Sequence, residues 1–322
     1  MRRMSDSPYG PQGASAPSRV ISVNPIVLPA PRRAVDLQVR VSAPATGQEL
    51  PVILLSHGHG RSNNLSSLNG YGPLASFWAA RGFVVIQPTH LDSTTLTLDP
   101  GDPEAPLYWR SRAEDMTRII DQLDTIVAGV PELSGRLDTS KIAAVGHSLG
   151  GHTTSLLLGA RLTDPDDGTD VNLSEPRIKA GVLLAAPGRG GDALSEFAAA
   201  NYSFFSTTDF ARMTTPALIV AGGKDDSPHL TVAGASWHAD PYFLAPAPKA
   251  LLTLFDAEHG LGGVSGYDAA ETTDENPERV AAVQRLTWAY LRTELFPDDP
   301  AWRTAQTALM SAENPLGRVE SK

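Results

Sequence analysis

The chain has 322 residues, a length that suits one large α/β domain, and its 41% hydrophobic content argues against a disordered chain. It contains no cysteine, which excludes disulfide bonds, thiolate metal sites and a cysteine nucleophile. The 36 acidic residues outnumber the 26 basic ones, and the formal net charge of −10 argues against nucleic acid as a partner.

The N-terminal segment, residues 1–19, is mostly polar and rich in proline, glycine and alanine, which predicts a flexible leader. No apolar stretch follows the basic residues Arg2 and Arg3, so a secretory signal peptide is not predicted. No apolar run in the chain approaches the roughly 20 residues that a membrane-spanning helix needs. A cytoplasmic protein without a membrane span is therefore expected.

Strands are predicted from two kinds of pattern. Residues 20–28 and 34–41 are extended segments, and the second alternates apolar and polar side chains. Short continuous apolar runs follow, of the kind that is typical of strands buried on both faces of a parallel sheet. These runs lie at residues 51–55, 83–86, 142–145, 182–185, 217–220 and 251–255.

Helices are predicted between these strands. Gly82 is a helix-ending glycine, and the segment 113–130 carries an apolar stripe at three-to-four spacing. Residues 276–278 (NPE) form a helix start signal, with a capping side chain, a proline and an acidic first turn. The predicted helices span residues 74–81, 113–130, 149–162 and 277 to about 295.

The alternation of strands and helices predicts the fold class and the domain organisation. We expect an α/β fold with a mostly parallel, twisted sheet of about eight strands and with helices on both faces. The domain should span residues 20–300, and residues 301–322 should form a C-terminal tail that contains a short helix.

A candidate nucleophile stands in residues 146–150 (GHSLG), which fit the pattern G-x-S-x-G. The motif directly follows the apolar run 142–145 and directly precedes a predicted helix. A strand, a sharp turn and a helix in this order form a nucleophile elbow, which exposes the serine hydroxyl above the sheet. Ser148 is therefore the predicted nucleophile, and the backbone N–H of Leu149 is a predicted oxyanion donor.

A serine nucleophile needs a general base, and the base needs an acid that orients it. The last two apolar runs lead into Asp225 and into His259, respectively. Both residues thus follow the carboxyl ends of strands, which is where the functional residues of α/β sheets lie. We predict His259 as the base and Asp225 as the acid.

Three neighbours compete for these roles. Asp226 is adjacent to Asp225, and because adjacent side chains diverge, only one of the two should reach the histidine. His229 and His238 are alternative bases, but both lie in the loop that follows the acid rather than after a separate strand. Asp225 and His259 are therefore favoured.

Four motifs carry a resemblance to a known family: residues 56–60 (SHGHG), 146–151 (GHSLGG), 222–225 (GGKD) and 258–260 (EHG). With them the chain resembles the α/β-hydrolase superfamily, in the branch of platelet-activating-factor acetylhydrolases, chlorophyllases and cutinase-like polyester hydrolases. The resemblance implies an α/β-hydrolase fold with a Ser-His-Asp triad. It also implies that the backbone N–H of His59 is the second oxyanion donor.

A substrate pocket is predicted near residues 188–212, which are rich in aromatic side chains and follow an apolar run where α/β-hydrolases commonly insert a lid. We interpret this segment as a short, lid-like cover. An apolar, partly aromatic pocket favours esters with hydrophobic groups. The candidate pocket residues are Phe197, Tyr202, Phe204, Phe205 and, in the loop after the acid, Trp237.

Neither a metal ion nor a cofactor is predicted. His57 and His59 could begin the metallo-hydrolase pattern H-x-H-x-D-H, but Arg61 and Ser62 stand where that pattern needs Asp and His. The acidic segment 164–170 has its glycine at the fifth place, whereas a calcium-binding loop has it at the sixth. A solvated surface loop is the simpler interpretation.

These features together predict a serine carboxylic-ester hydrolase that works through an acyl-enzyme on a small hydrophobic ester. The same triad could instead cleave a thioester, a lactone or an amide, or could perform cofactor-free perhydrolase chemistry. A binding protein without catalytic activity is a further alternative on the same fold. The sequence leaves the oligomeric state open.

Overall fold

The computed structural model describes residues 17–99, 101–102, 104–266 and 269–322, so residues 1–16 of the predicted leader lie outside the described part. Within that part, no helix is both long enough and apolar enough to cross a membrane. The strands are β1 (Val20–Leu28), β2 (Leu37–Pro44), β3 (Leu50–Ser56), β4 (Val84–Pro88), β5 (Leu137–His147), β6 (Arg161–Thr163), β7 (Asp170–Asn172), β8 (Ile178–Leu184), β9 (Ala217–Gly222), β10 (Lys249–Leu254) and β11 (Gly317–Ser321).

One large sheet organises the molecule, with nine strands in the order β1-β2-β4-β3-β5-β8-β9-β10-β11. The six strands from β4 to β10 in this order pair in parallel. The strands at either side, β1, β2 and β11, pair antiparallel. The predicted α/β fold with a mostly parallel sheet is thus confirmed, and β6 and β7 form a separate two-stranded sheet.

Helices cover both faces of this sheet, because its central strands are apolar on both sides. In β3, Ile53 and Leu55 join one core cluster, whereas Val52 and Leu54 join the other. The first cluster receives side chains from α1 (Gly72–Ala79), α7 (Pro277–Leu295) and α8 (Ala301–Met310). The second receives them from α2 (Trp109–Asp121), α3 (Leu123–Ala128), α4 (Leu149–Leu157), α5 (Glu196–Asn201) and α6 (Asp240–Leu244).

Two helices differ from the sequence-based expectation. The helix expected over 113–130 is interrupted at Gln122, whose φ of −114° and ψ of 24° leave the helical region and separate α2 from α3. The helix expected over 149–162 ends at Leu157. Gly159 follows at φ +111°, a conformation that favours glycine, and a Cβ there would lie 2.6 Å from the Arg212 carbonyl oxygen.

The C-terminal part of the chain completes the sheet. Helix α7 begins as its start signal predicts, since the Asn276 side chain accepts a hydrogen bond from the Arg279 N–H at 2.9 Å. Residues 301–322, expected to form a tail, contain α8 and β11. Strand β11 pairs with β10 and supplies the ninth strand of the sheet.

Candidate active site

The turn between β5 and α4 holds the backbone of Ser148 in a conformation that residues other than glycine rarely adopt. Its φ is 54° and its ψ is −122°, in a turn that joins a strand directly to a helix. A Cβ at Gly146 would lie 1.9 Å from the Gly150 carbonyl oxygen, and one at Gly150 would lie 2.2 Å from the Ser56 carbonyl oxygen. The two glycines are therefore required by the close approach of backbone to backbone, and Ser148 remains partly exposed.

The hydroxyl of Ser148 is the end of a hydrogen-bonded chain through His259 to Asp225. His259 Nε2 lies 2.9 Å from Ser148 Oγ, and His259 Nδ1 lies 2.8 Å from Asp225 Oδ2. Asp225 follows β9 and His259 follows β10, and because these neighbouring strands run parallel, their carboxyl ends meet at one edge of the sheet. The structure thus brings together the three side chains that the sequence selected.

The carboxylate of Asp225 is buried but well supplied with polar partners. Ser227 Oγ donates to its Oδ1 at 2.7 Å. Burial acts to raise the pKa of Asp225, but its contacts with His238 and His259 outweigh burial and hold the pKa below the usual range. An ionised Asp225 accepts the Nδ1–H of His259, which leaves the Nε2 lone pair free to accept the Ser148 hydroxyl proton.

The competing residues of the same loop are placed differently. Asp226 is exposed, and the hydrogen bond from His259 goes to Asp225. His229 is exposed and offers its backbone carbonyl to Ser195 Oγ. His238, in contrast, is fully buried, and its Nε2 lies 3.2 Å from Asp225 Oδ2. The sequence had suggested His238 only as an alternative base and did not indicate that it contacts the acid.

A second set of hydrogen bonds ties the loop after β3 to the loop that carries His259. His147 Nε2 donates to the His259 carbonyl oxygen at 2.8 Å, and its Nδ1 accepts from the Tyr71 hydroxyl at 2.8 Å. The Gly58 N–H in turn donates to the Tyr71 oxygen at 2.9 Å. Burial, helped by nearby His259, lowers the pKa of His147 to about 3, so its ring is neutral, as this chain of donors requires.

The loop after β3 also carries the predicted oxyanion donor His59. The His59 side chain is exposed, and its Nδ1 lies 3.0 Å from Asp92 Oδ2. Asp92 is paired with the fully buried Arg112, which also donates to the His57 carbonyl oxygen. Through these contacts the buried ion pair holds the loop that carries His57 and His59 in place. No local sequence motif indicates this pairing.

The two predicted oxyanion donors are the backbone N–H groups of His59, in the loop after β3, and of Leu149, directly after Ser148. Leu149 is the first residue of α4, so its N–H has no acceptor within the helix. Among the described residues, neither the Leu149 N–H nor the His59 N–H donates to a protein oxygen. Both N–H groups are thus available to an external acceptor.

The predicted pocket residues occupy two kinds of environment. Phe204 and Phe205 are buried, and their rings lie 5.4 and 4.9 Å from the ring of His152 on α4. Trp237 is also buried, and its Nε1 donates to the Arg189 carbonyl oxygen at 2.8 Å. Phe197 is 51% exposed, and Tyr202 is partly exposed.

A cleft of about 120 Å³ lies beside this aromatic segment. Its lining includes Tyr202, Phe204 and Trp109, and the Trp109 ring stacks on Phe204 with 5.8 Å between centroids. Charged side chains, including Arg110 and Asp164, complete its wall. Its volume is below the roughly 300 Å³ at which pockets begin to enclose drug-sized ligands.

Among the described residues, one group of three side chains has the spacing of metal ligands: Asp225, His238 and His259, whose ligand atoms lie within 4.8 Å of one another. The contact of Asp225 Oδ2 with His259 Nδ1 is a hydrogen bond of 2.8 Å. A metal ion at this place would have to displace the proton of that bond. The pair His57 and His59 is not part of such a group.

The fold and the site define an α/β protein with an Asp–His–Ser chain at the carboxyl ends of its parallel strands. No protein-family model matches the chain, and a search of curated proteins likewise finds no match. The function must therefore be inferred from the chemistry of the site.

Proposed function

We propose that the protein is a serine carboxylic-ester hydrolase of the α/β-hydrolase superfamily, which acts through an acyl-enzyme on a small hydrophobic ester. One observation carries this proposal: a serine on a strained strand-to-helix turn is hydrogen-bonded to a histidine that an aspartate orients. The chain order of serine, acid and histidine is the one that this superfamily uses.

The first half of the reaction forms the acyl-enzyme. Ser148 Oγ attacks the ester carbonyl carbon, and its proton passes to His259 Nε2 across the 2.9 Å hydrogen bond. Asp225 stabilises the imidazolium that results. The tetrahedral intermediate then collapses with cleavage of the bond to the alcohol oxygen, which takes the proton from His259 as it leaves.

The second half of the reaction restores the enzyme. A water molecule gives a proton to His259 Nε2 while its oxygen attacks the acyl carbon. The bond to Ser148 Oγ breaks, the serine recovers its proton from His259, and the carboxylic acid leaves. In both halves the N–H groups of His59 and Leu149 would hold the oxyanion, at about 3 kcal/mol of transition-state stabilisation for each donor.

A hydrophobic ester is the substrate class that the surroundings of the site favour. The segment 188–212 contributes the half-buried Tyr202 and the exposed Phe197, whose rings pack edge to face at 5.6 Å. Burial of the apolar part of a substrate against such side chains removes apolar surface from water and so favours binding.

The experiment combines a covalent probe with turnover. A fluorophosphonate should label the wild type at Ser148, as read by mass spectrometry of the peptide, and p-nitrophenyl acetate should be hydrolysed. Ser148→Ala should lose both, with turnover reduced by about 10⁴-fold or more, yet remain folded. Turnover by the alanine variant at the wild-type rate would overturn the proposal.

A panel of matched substrates then defines the bond that is cleaved. A thioester, a lactone and an anilide with the acyl group of the best ester should be hydrolysed less efficiently than that ester, as judged by kcat/KM. Higher efficiency on one of the three would reassign the reaction to that bond while leaving the roles of Ser148, His259 and Asp225 unchanged.

A further inference from the structure

The side chain of Arg112 joins three segments of the chain that meet next to the candidate site. It extends from α2 and is fully buried. Its Nη2 donates to the His57 carbonyl oxygen in the loop after β3, and its Nη1 donates to Asp92, which follows β4. Its Nε donates to Thr153 Oγ1 on α4 at 3.1 Å. Because the guanidinium group is planar and rigid, these contacts fix the three segments relative to one another.

The contacts of Arg112 hold both sides of the peptide group that carries the His59 N–H. The His57 carbonyl precedes this peptide group and is bound by Arg112 directly. The His59 side chain follows the peptide group, and its Nδ1 lies 3.0 Å from Asp92 Oδ2. The carbonyl of the peptide group itself, that of Gly58, lies 2.7 Å from His57 Nδ1, which donates to it. The direction of the His59 N–H is therefore set by groups that Arg112 holds in place.

The contact with Thr153 extends the same control to the second oxyanion donor. Thr153 Oγ1 donates to the carbonyl oxygen of Leu149, the first residue of α4, at 3.1 Å. The peptide group that carries the Leu149 N–H is held as well, because the Ser148 carbonyl oxygen accepts two N–H groups of the same helical turn. The first turn of α4 is thus a rigid unit that Thr153 ties to Arg112.

The loop after β3 and the first turn of α4 also touch each other directly. A Cβ at Gly150 would lie 2.2 Å from the Ser56 carbonyl oxygen and 2.7 Å from the His57 carbonyl oxygen. The two backbones approach each other at this point, so their spacing depends on this contact and on groups that bind both. Arg112 is such a group, since it binds the loop at His57 and the helix at Thr153.

The charge of Arg112 is paired with that of Asp92. Burial acts to raise the pKa of Asp92, but Arg112 and then the hydrogen bond from His59 outweigh burial and hold the pKa below its usual range. The ionised carboxylate and the guanidinium are both wholly inaccessible. Removal of one partner of a buried ion pair is strongly destabilising. A variant that tests the role of Arg112 in catalysis therefore has to keep the positive charge.

We propose that Arg112 is a positioning residue of the oxyanion hole, which sets the separation and the mutual orientation of the His59 and Leu149 N–H groups. It does not touch the substrate but acts through the loop after β3 and through α4. This inference rests on the proposed function, which assigns the oxyanion to these two donors. Such donors accelerate a reaction only when they lie at hydrogen-bond distance from the oxyanion, so an error in their spacing weakens binding of the transition state more than binding of the substrate.

Arg112→Lys tests the proposal because it keeps the charge beside Asp92, whereas an ammonium group cannot reproduce the planar set of donors to His57, Asp92 and Thr153. Active sites are first counted by complete reaction with a fluorophosphonate. Per site, kcat/KM for p-nitrophenyl acetate should fall by about 10²-fold. The affinity for a trifluoromethyl ketone, whose adduct with Ser148 carries an oxyanion, should fall by the same factor. The affinity for the corresponding carbinol, which forms no adduct, should stay within about two-fold of the wild type.

Arg33→Lys is the matched control. The Arg33 side chain is also buried, pairs with the buried Asp115 at 3.0 Å and donates to the Thr89 carbonyl oxygen at 2.8 Å. Within the described part of the chain, its hydrogen bonds reach neither the loop after β3 nor α4. Arg33→Lys should lose stability, while its kcat/KM per site stays within about two-fold of the wild type. If Arg112→Lys behaves in the same way, the role of Arg112 is purely structural and the proposal is wrong.

Thr153→Val interrupts only the connection to α4 and leaves the ion pair of Arg112 intact. The two side chains have nearly the same shape, so this variant keeps the proposal testable even where Arg112→Lys fails to fold. Its kcat/KM and its affinity for the trifluoromethyl ketone should each fall by about ten-fold, and Thr153→Ser, which retains the hydroxyl, should restore both. Wild-type values of both quantities in Thr153→Val would overturn the proposal.

Crystal structures of the variants distinguish a failure of this inference from a failure of the proposed function. In Arg112→Lys and Thr153→Val, the distance between the His59 and Leu149 backbone nitrogens should differ from that of the wild type by about 0.5 Å or more, the tolerance of a preorganised site. If the wild type neither hydrolyses esters nor reacts with a fluorophosphonate, the proposed function fails, and this distance still decides whether Arg112 positions the two groups. An unchanged distance in both variants would overturn the inference, whatever their activity.

Discussion

Two Asp–His–Ser chains with the same connectivity lie side by side in this molecule. One runs from Asp225 through His259 to Ser148, with heavy-atom distances of 2.8 and 2.9 Å. The other runs from Asp115 through His90 to Ser56, with distances of 3.0 and 2.9 Å. Ser56 ends β3, and Ser148 directly follows the neighbouring strand β5, in which Gly146 pairs with Ser56. The hydrogen-bond pattern alone does not distinguish them.

Exposure and backbone conformation do distinguish the two chains. The side chains of His90 and Asp115 are wholly inaccessible, and Ser56 is fully buried at the end of a regular strand. The His259 side chain is 32% exposed, and Ser148 stands on the strained turn before α4. A substrate could reach only the second serine, so we call the Ser56 group the buried chain and the Ser148 group the open chain.

The charges around the two histidines also differ. In the buried chain Arg112 donates to Ser56 Oγ, and Arg33 pairs with Asp115. Burial lowers the pKa of His90 well below its usual value, and the charge of Arg112 lowers it further, which opposes formation of an imidazolium. Burial likewise raises the pKa of Asp115 to about 6, against the effect of Arg33. The buried chain is therefore suited to hold the fold together and unsuited to accept a proton.

The largest expected contrast comes from matched changes in the two acids. Asp225→Asn should reduce kcat by about 10⁴-fold, because the orientation and stabilisation of His259 are lost. Asp115→Asn should reduce the free energy of unfolding by about 3–5 kcal/mol, since Arg33 is left buried without its counter-ion. Ester turnover and urea denaturation of both variants measure these effects.

Asp226→Asn is the control for the change at the acid. Asp226 is exposed and adjacent to Asp225, so the substitution removes one negative charge without touching His259. Its kcat should stay within about two-fold of the wild type, as expected of a screened surface charge. If Asp226→Asn were the variant that lost activity, the acid of the open chain would have to be reassigned.

A smaller effect is expected from the serine of the buried chain. Ser56→Ala removes a hydroxyl that donates to His90 and accepts from Arg112, and it should cost about 1–3 kcal/mol of unfolding free energy. The activity of the folded variant should remain within ten-fold of the wild type. Thermal and urea unfolding, together with ester turnover, test this prediction. A loss of activity as large as that of Ser148→Ala would erase the distinction between the two chains.

The smallest effect is a difference in the pH dependence of stability. Because the pKa of His90 is lowered in the folded protein, its contribution to stability is complete above about pH 6.5 and is lost as the pH falls. Below that pH, the free energy of unfolding of the wild type should fall more steeply than that of His90→Gln, by about 1.4 kcal/mol per pH unit. Urea denaturation between pH 7 and pH 5 measures both slopes, and equal slopes would contradict a neutral His90.

Local patterns carried much of the information about this protein. The continuous apolar runs predicted the central strands, because burial on both faces demands apolar residues without interruption. The position of Ser148 between a strand and a helix, and of Asp225 and His259 after later strands, selected the three side chains of the open chain. Each of these signals lies within a few neighbouring residues, and this is why it could be recognised without a structure.

The tertiary structure alone decided which distant residues meet. The contact of His238 with Asp225, the pairing of Arg112 with Asp92 and the whole buried chain join residues that no motif connects. The pairing of β11 with β10 likewise joins residues that lie far apart along the chain. Short-range sequence patterns report the propensity and burial of a segment, whereas hydrogen bonds between buried polar groups are settled only when the segments pack.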